Sequence, residues 1–306
     1  MRVIFAGTPE VALPTLRTLD SSPHDVVGIL TRHDAPVGRT RTLTRSPVGA
    51  WADERGIPVV TSNRPDHDTV NEISGWSADI GVIVAYGALL DAQMLAVPTR
   101  GWINLHFSAL PRFRGAAPVQ RALLAGETEI ATSVFQLVER MDAGPIFDRQ
   151  NHSVAPEATS GDVLMNLADL GAEQVVRVLD GIEAGTLHAV EQSGAPTFAP
   201  KLTNQDGRLD VMSDASSVFN VFRAVTPEPG AWIETSVGRV KISAAERATV
   251  ADCKAGVITE QEGNVLLGLS SGALTLVRVI PAGKREMTAS EWLRGIKGAR
   301  VTVVSA

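Results

Sequence analysis

Short apolar runs alternate with stretches of helical periodicity from residue 2 to residue 184. The runs predict strands at 2–6, 25–31, 57–61, 78–85, 101–106 and 131–138. The periodic stretches predict helices at 11–19, 47–55, 70–75, 118–125 and 162–184. Because the runs are apolar at nearly every position, both faces of the strands should be covered. The pattern therefore predicts an α/β domain with an open, mostly parallel, Rossmann-like sheet.

The pattern changes after residue 184. Residues 185–207 are polar with scattered Pro and Gly, which is typical of a linker. Beyond them, a helix is predicted at 213–224 and short strands at 231–235, 239–243, 256–259, 265–269, 273–280 and 300–304. Short strands with frequent glycines indicate a small, OB-like β-barrel. We therefore predict a first domain at 1–189, a linker at 190–207 and a C-terminal domain at 208–306.

The net charge of -6 argues against a nucleic-acid partner, but the distribution of charge changes that conclusion. Residues 207–306 hold 12 basic and 10 acidic side chains, a net charge of +2. Residues 31–47 hold four arginines against the single acid Asp34. Phosphate binding needs local positive charge and not a positive total. Both segments are candidates for nucleic-acid contact, and an ordinary solvated surface is the alternative.

Asn104 and His106 end the apolar run at 101–106. Alternation along a strand places both side chains on one face. Ligands of an open parallel sheet bind beyond the carboxyl ends of its strands, so the pair lies where a site is expected. An amide can donate to an oxyanion, and a histidine can move a proton near neutral pH. The alternative is a pair that merely caps the strand end.

Two further features follow this pair along the chain. The loop at 108–118 is apolar and carries two prolines, and such loops often form the wall of a pocket. Asp142 follows the next predicted strand, and its carboxylate could orient His106 and stabilise its charge. A turn cap is the alternative for Asp142, since Asp is common in turns near Gly.

Other chemistries lack their motifs in this sequence. Gly7-Thr-Pro-Glu is not G-x-G-x-x-G, so no nicotinamide cofactor is expected. The chain has no Walker phosphate loop and no G-x-S-x-G serine elbow. Its six histidines are isolated and Cys253 is the single cysteine, so no metal site is expected. These absences favour group transfer without a covalent enzyme intermediate.

Three segments resemble the signature of the folate-dependent formyltransferase family. They read NLHFSALP at 104–111, RGAAP at 114–118 and MDAG at 141–144. The segments at 5–9, 38–39, 222–224, 229–232 and 281–287 resemble the branch of the family that formylates methionyl-tRNA. Phe107, Ala109 and Val211 depart from the usual pattern, as does the linker, which lacks the usual lysines and acids. The three candidate catalytic residues match it.

The resemblance implies transfer of the formyl group of 10-formyltetrahydrofolate to the α-amino group of initiator methionyl-tRNA. Asn104 and His106 would stabilise the oxyanion and handle the proton, and Asp142 would hold His106. The implied folate site consists of Ser108, Ala109, Leu110, Pro111, Tyr86, Gly87, Val138 and Met141. A reduced folate and the tRNA are the expected partners of a cytoplasmic monomer. The start of the sequence lacks the pattern of a signal peptide, and no apolar run is long enough to span a membrane.

The tRNA is expected to contact Arg39, Arg41 and Arg45, and the C-terminal barrel. Pro36, Gly38 and Pro47 are expected to prevent regular structure in this part of the chain. A disordered loop with incidental arginines is the alternative. The competing functions are a sugar-nucleotide formyltransferase, a tRNA-binding module with an inactive site, and a nicotinamide dehydrogenase.

Overall fold

The computed structural model describes residues 1–38, 40–248, 253–296 and 301–304. Its strands are β1 (Arg2–Gly7), β2 (Asp25–Thr31), β3 (Ala35–Val37), β4 (Thr42–Thr44), β5 (Val59–Thr61), β6 (Ile80–Val84), β7 (Trp102–His106), β8 (Glu129–Gln136), β9 (Ile146–Ser153), β10 (Ala231–Thr235), β11 (Gly238–Arg247), β12 (Val257–Gln261), β13 (Asn264–Gly268), β14 (Ala273–Pro281), β15 (Met287–Thr288) and β16 (Val301–Thr302). Its α-helices are α1 (Leu13–Asp20), α2 (Pro47–Arg55), α3 (His67–Ser74), α4 (Ala92–Leu95), α5 (Pro118–Leu124), α6 (Ser160–Ala184), α7 (Ala215–Val225) and α8 (Ala289–Gly295).

The first sheet has the strand order β5-β2-β1-β6-β7-β8-β9. Strands β5, β2, β1, β6 and β7 are parallel to their neighbours, whereas β8 runs antiparallel to β7. The central strands β1 and β6 are buried at nearly every position, as their continuous apolar runs predicted. The carboxyl ends of β1, β6 and β7 therefore lie at one edge of the sheet.

Local signals explain why several predicted boundaries match the structure. The Ser46 hydroxyl accepts a hydrogen bond from the Gly49 N–H at 3.0 Å, which caps α2. Pro47 occupies the first helical position, where a missing N–H has no consequence. Gly56 ends the helix in the left-handed conformation. The predicted bounds of this helix, and those of β2 and β10, are confirmed.

The expectation that residues 31–47 lack regular structure is wrong. Strands β3 and β4 pair as an antiparallel hairpin, with Val37 opposite Thr42. Pro36 is tolerated because a strand in a two-stranded ribbon has a free edge that needs no N–H donor. Gly38 follows β3 with a φ of 71°, which is a conformation that favours a turn. Arg39 lies outside the described residues.

Several short elements were not predicted. Strand β9 is polar and lies at the edge of the first sheet, so it lacks the apolar pattern of the central strands. Helix α8 begins with a capping box in which Thr288 and Glu291 each accept a hydrogen bond from the other residue's N–H. That Thr-x-x-Glu spacing was a readable signal in the sequence.

The second sheet closes into a barrel. Its strand order is β10-β11-β14-β13-β12-β16, with β15 beside β14. The Ser236 N–H donates to the Thr302 carbonyl at 2.9 Å, and the Val304 N–H donates to the Glu234 carbonyl at 2.8 Å. These bonds join the first strand to the last. Phe219 of α7 is buried in the core of this barrel. The predicted fold class, a mostly parallel Rossmann-like sheet followed by a small β-barrel, is confirmed.

The chain forms two compact units. The first consists of Met1–Pro118, Glu129–His152 and Leu164–Ala199. The second consists of Val119–Thr128, Ser153–Val163 and Pro200–Ala306. The domain limits given above, 1–189 and 208–306 with a linker between, stay predictions. Across the described ranges, no helix is both long enough and apolar enough to cross a lipid bilayer.

Candidate active site

Asn104 and His106 lie at the carboxyl end of β7, on the same face of the strand. The strand is held on both sides, since Asn104 pairs with Ile83 of β6 and with Phe135 of β8. His106 is 7% exposed. Within the described part of the chain, the Asn104 amide has no hydrogen-bond partner. Its N–H groups are therefore available to a ligand.

The imidazole of His106 is oriented by backbone and ring contacts. Its Nε2 lies 2.9 Å from the Phe113 carbonyl oxygen, and the ring meets Phe135 edge to face. Because a carbonyl only accepts, Nε2 must carry the hydrogen of this bond. The other nitrogen, Nδ1, is then the position at which the ring gains or loses a proton.

The carboxylate of Asp142 faces this second nitrogen. Its Oδ2 lies 3.9 Å from His106 Nδ1, which is an ion-pair distance and too long for a hydrogen bond. The same oxygen accepts a hydrogen bond from the Gly115 N–H at 2.7 Å. Asp142 thus contributes negative charge, while the orientation of the imidazole comes from Phe113.

The turn that carries Asp142 is tightly built. Asp142 itself has a φ of 47°, in the left-handed region that non-glycine residues rarely adopt. The Gln136 N–H donates to the Pro145 carbonyl at 2.8 Å, which closes the turn. A Cβ built on Gly144 would overlap the Gln136 carbonyl oxygen. The position of the carboxylate therefore depends on the exact path of this backbone.

We expect Gly144→Ala to lower the free energy of unfolding by roughly 1–3 kcal/mol, because the added methyl group meets a backbone atom that cannot rotate away. Thermal unfolding measures the change. Gly295→Ala is the matched control, since a Cβ there meets nothing within 4 Å. Equal stability of the two variants would contradict the described path of the turn.

Arg114 lies beside this turn and is 6% exposed. Burial lowers the pKa of its guanidinium, the nearby Arg140 lowers that pKa further, and the Asp142 carboxylate opposes both effects. Its Nη2 donates to Oε1 of Gln192 at 2.5 Å. Arg114 is therefore a buried cation with a neutral hydrogen-bond partner and a nearby carboxylate.

A cavity of about 540 Å³ lies at this edge of the first sheet. That volume is typical of a small-molecule site. Asn104, His106 and Asp142 all line it. The three predicted catalytic residues are therefore brought together at one cavity wall.

The predicted folate residues divide into two groups. Tyr86, Gly87 and Met141 line the cavity. The others, Ser108, Ala109, Leu110, Pro111 and Val138, do not appear in its wall. Their assignment to the folate site stays a prediction.

Segment 108–111 is fixed from two sides. The Ser108 hydroxyl donates to the Arg112 carbonyl at 2.6 Å, and the Ser133 hydroxyl donates to the Ser108 carbonyl at 2.7 Å. Leu110 is fully buried. These contacts give the segment a packing role next to the site.

Tyr86 has a structural bond of its own. Its hydroxyl donates to the Ser62 carbonyl at 2.7 Å, and burial raises its pKa to about 12. The phenol is therefore neutral at physiological pH and presents only part of its surface to the cavity.

Sequence reasoning missed several residues of the cavity wall. Leu89 and Phe107 contribute apolar surface, and Gly115 and Ala116 contribute backbone. Ala85 follows β6 with a φ of 50°, and so turns the chain at the mouth. Their position directly after β6 or β7 was the available signal, because ligands of such sheets bind beyond the strand ends.

The arginines of the hairpin differ in their surroundings. Arg41 is exposed and follows the turn after β3 with a φ of 52°. Arg45 donates through Nε and Nη2 to the two carboxylate oxygens of Asp53 at 2.8 and 2.9 Å, and its Nη1 lies 3.5 Å from Asp34. These contacts raise the pKa of Arg45 and lower that of Asp53. Arg45 therefore does not project free charge, contrary to the expectation for all three arginines.

The described residues hold no group of three or more His, Cys, Asp or Glu side chains arranged to bind a metal ion.

Comparison with known proteins identifies the family. The model of a family described as formyl transferase matches residues 1–179, and the model of the formyl transferase C-terminal domain matches residues 201–297. The methionyl-tRNA formyltransferase of Clavibacter michiganensis subsp. michiganensis is 47% identical over 303 residues, which cover 99% of each chain. That of Paenarthrobacter aurescens is 47% identical over 297 residues, which cover 97% of each chain.

Solved structures show the same fold. An N-formyltransferase from Helicobacter canadensis, in complex with folinic acid and dTDP-3-aminofucose, has a TM-score of 0.69 at 16% identity. The match covers 90% of this chain and 98% of that one. The methionyl-tRNA formyltransferase from Clostridium thermocellum has a TM-score of 0.61 at 13% identity, over 82% of this chain and 95% of that one. At these identities the structural likeness concerns the fold alone.

The family models span both halves of the sequence, and the identity to curated relatives extends over nearly the full length of both chains. The chain therefore belongs to the formyl transferase family and, within it, to the methionyl-tRNA formyltransferases.

Proposed function

We propose that this protein transfers the formyl group of 10-formyltetrahydrofolate to the α-amino group of initiator methionyl-tRNA, which gives N-formylmethionyl-tRNA for translation initiation. The observation that carries the proposal is the meeting of Asn104, His106 and Asp142 at one cavity wall. The near full-length identity to methionyl-tRNA formyltransferases supports the choice of acceptor.

The nucleophile belongs to the substrate. A free α-amino group has a pKa of about 7.7–8.0. Esterification to the tRNA lowers that pKa further, so neutral amine is present at physiological pH. The reaction therefore needs no nucleophilic side chain from the protein.

Asn104 and His106 act on the charges that the attack creates. As the amine nitrogen bonds to the formyl carbon, negative charge develops on the formyl oxygen, and the unpartnered Asn104 amide donates to it. Nδ1 of His106 takes the proton that the amine loses, and the Asp142 carboxylate stabilises the protonated imidazole. The bond from the formyl carbon to the folate nitrogen then breaks, and that nitrogen recovers a proton as the tetrahydrofolate leaves.

The cavity fits the formyl donor in size and chemistry. Its mouth carries exposed apolar side chains, since Leu89 is 79% and Met141 47% exposed, while the amide and imidazole lie within. A flat ring system needs apolar contact and a few polar partners. We assign Tyr86, Gly87 and Met141 to contact with the folate. Residues 108–111 and Val138 are assigned to the support of that site.

An acceptor comparison tests this function. The protein is incubated with 10-formyltetrahydrofolate and either methionyl-tRNA or dTDP-3-aminofucose, and the formylated products are separated. We expect N-formylmethionyl-tRNA, formed only when the folate is present. Formylation of the amino sugar in place of the tRNA would assign the protein to the sugar-nucleotide branch.

We assign the acceptor stem of the tRNA to the β3–β4 hairpin. Arg39 and Arg41 supply charge near its tip, and exposed Val37 and Leu43 flank it. The ion pair of Arg45 with Asp53 would hold the base of the hairpin. The C-terminal β-barrel, with its slight excess of basic residues, would bind the tRNA farther along the same arm. The proposed reaction places the protein in the cytoplasm, and we expect it to act as a monomer.

We expect Arg39→Ala and Arg41→Ala each to raise the KM for tRNA and to leave the KM for the folate unchanged. Each lost phosphate contact should also flatten the salt dependence of tRNA binding, by a slope of about 0.9 on a duplex of DNA type. Steady-state kinetics across a salt series measure both effects. Arg177→Ala, which removes an exposed arginine from α6, is the control. Hairpin variants that match this control would contradict the assignment.

A further inference from the structure

Residues 190–199, named the strap here, were predicted to lie in a linker, yet they are bound to the first unit by regular backbone pairing. The N–H and carbonyl of Val190 bond to the carbonyl and N–H of Ile146 at 2.9 and 2.8 Å. The Arg114 N–H donates to the Thr197 carbonyl at 2.9 Å, and the Ala199 N–H donates to the Arg114 carbonyl at 2.7 Å. The strap is therefore fixed at one end beside the Asp142 turn and at the other beside the loop that carries Gly115.

Gln192 of the strap joins these two loops through one side chain. Its Nε2 donates to the carbonyl of Asp142 at 2.9 Å and to the carbonyl of Gly144 at 2.8 Å. Its Oε1 accepts from Arg114 Nη2. The amide is thus used at both ends, which a side chain with only donors or only acceptors could not do.

These bonds act on the part of Asp142 that sets the direction of its carboxylate. Asp142 holds a left-handed φ of 47°, which most residues avoid and which must be imposed by neighbouring contacts. The two bonds from Gln192 fix the peptide groups at Asp142 and at Gly144. The Gly115 N–H then fixes the carboxylate itself, and Gly115 follows Arg114 directly.

We infer that Gln192 is a positioning residue for formyl transfer, which holds the Asp142 carboxylate against His106. The inference rests on the proposed function. A neutral amide suits the position, because it partners the buried Arg114 cation without competing with Asp142 for the charge. A glutamate would still accept from Arg114, but its second oxygen would face two carbonyl oxygens that it cannot bond.

The test combines Gln192→Glu and Gln192→Leu with the Asp142→Asn background. We expect each single variant to lower kcat about tenfold, since two hydrogen bonds of about 0.5–1.5 kcal/mol each are lost and 1.4 kcal/mol corresponds to a factor of ten. The KM values for folate and tRNA should change less than twofold. Ser193→Glu, which adds a charge at an exposed neighbour on the strap, should leave kcat unchanged.

The double variants separate positioning from general support. If Gln192 acts through Asp142, its substitution should cost less than about twofold in kcat once Asp142 is Asn, because coupled residues are not additive. An equal tenfold loss in both backgrounds would overturn the inference, as would an unchanged kcat in the single variants. Loss of folding in both Gln192 variants, seen in thermal unfolding, would assign the residue a purely structural role. An inactive wild-type protein would instead overturn the proposed function.

Discussion

Asn104→Ala and His106→Ala should each nearly abolish formyl transfer while the protein stays folded. Loss of one oxyanion donor lowers a rate by roughly 10²–10³, and loss of one general acid or base by about 10²–10⁴. The Asn104 amide has no partner within the described residues, so its removal should not disturb packing. Single-turnover rates measured with saturating folate and tRNA separate the chemical step from binding.

Matched substitutions outside the cavity control for these two. Asn151→Ala removes an exposed asparagine from β9, and His67→Ala removes an exposed histidine from α3. Neither residue lines the cavity, so both controls should keep the wild-type rate. An Asn104 or His106 variant that retains more than about a tenth of that rate, which is milder than either range, would remove its assigned role.

Asp142→Asn should lower the rate of the chemical step by about 10² or more, with little change in either KM. The substitution keeps the shape of the side chain and an oxygen that can accept from the Gly115 N–H. It removes the negative charge 3.9 Å from His106 Nδ1, which stabilises the imidazole when it holds the transferred proton. The measurement is again a single-turnover rate.

Glu139→Gln is the control for Asp142→Asn. Glu139 is an exposed carboxylate in the same loop and lies outside the wall of the catalytic cavity. Its neutralisation should leave the rate within about twofold of wild type, as is usual for a surface charge. Equal losses in the two variants would show that the overall charge of the loop, and not the position of Asp142, matters.

The central strands and their helices could be predicted because each carried a local signal. The buried strands β1, β2 and β6 are continuous apolar runs, and helix α2 has a cap at each end. Burial on both faces of a parallel sheet leaves little freedom in composition, so sequence pattern and structure agree there.

The hairpin and β9 could not be predicted from such a pattern. Strands β3 and β4 are exposed at every position, so no alternation of apolar and polar residues marks them. Strand β9 lies at the sheet edge and buries little. In both places the backbone pairing, and not the burial of side chains, determines the structure.

The site was predictable in its identity and not in its support. The period-2 alternation of a strand brought Asn104 and His106 together, and Asp142 followed the next apolar run. The bonds of His106 to Phe113, of Asp142 to Gly115 and of Gln192 to both loops are set by the tertiary fold. Gln192 lies 50 positions from Asp142, in a stretch whose polar composition indicated a linker.

A rapid-quench experiment with 10-formyltetrahydrofolate labelled in the formyl group tests the central claim, direct transfer at Asn104 and His106. With protein in excess over methionyl-tRNA, the label should pass from the folate to the tRNA in a single exponential phase, and no label should be bound to the protein at any time. The same phase should be slowed at least 10²-fold in Asn104→Ala and in His106→Ala. Labelled protein that forms and decays before the tRNA is formylated, or an unchanged phase in both variants, would contradict the account.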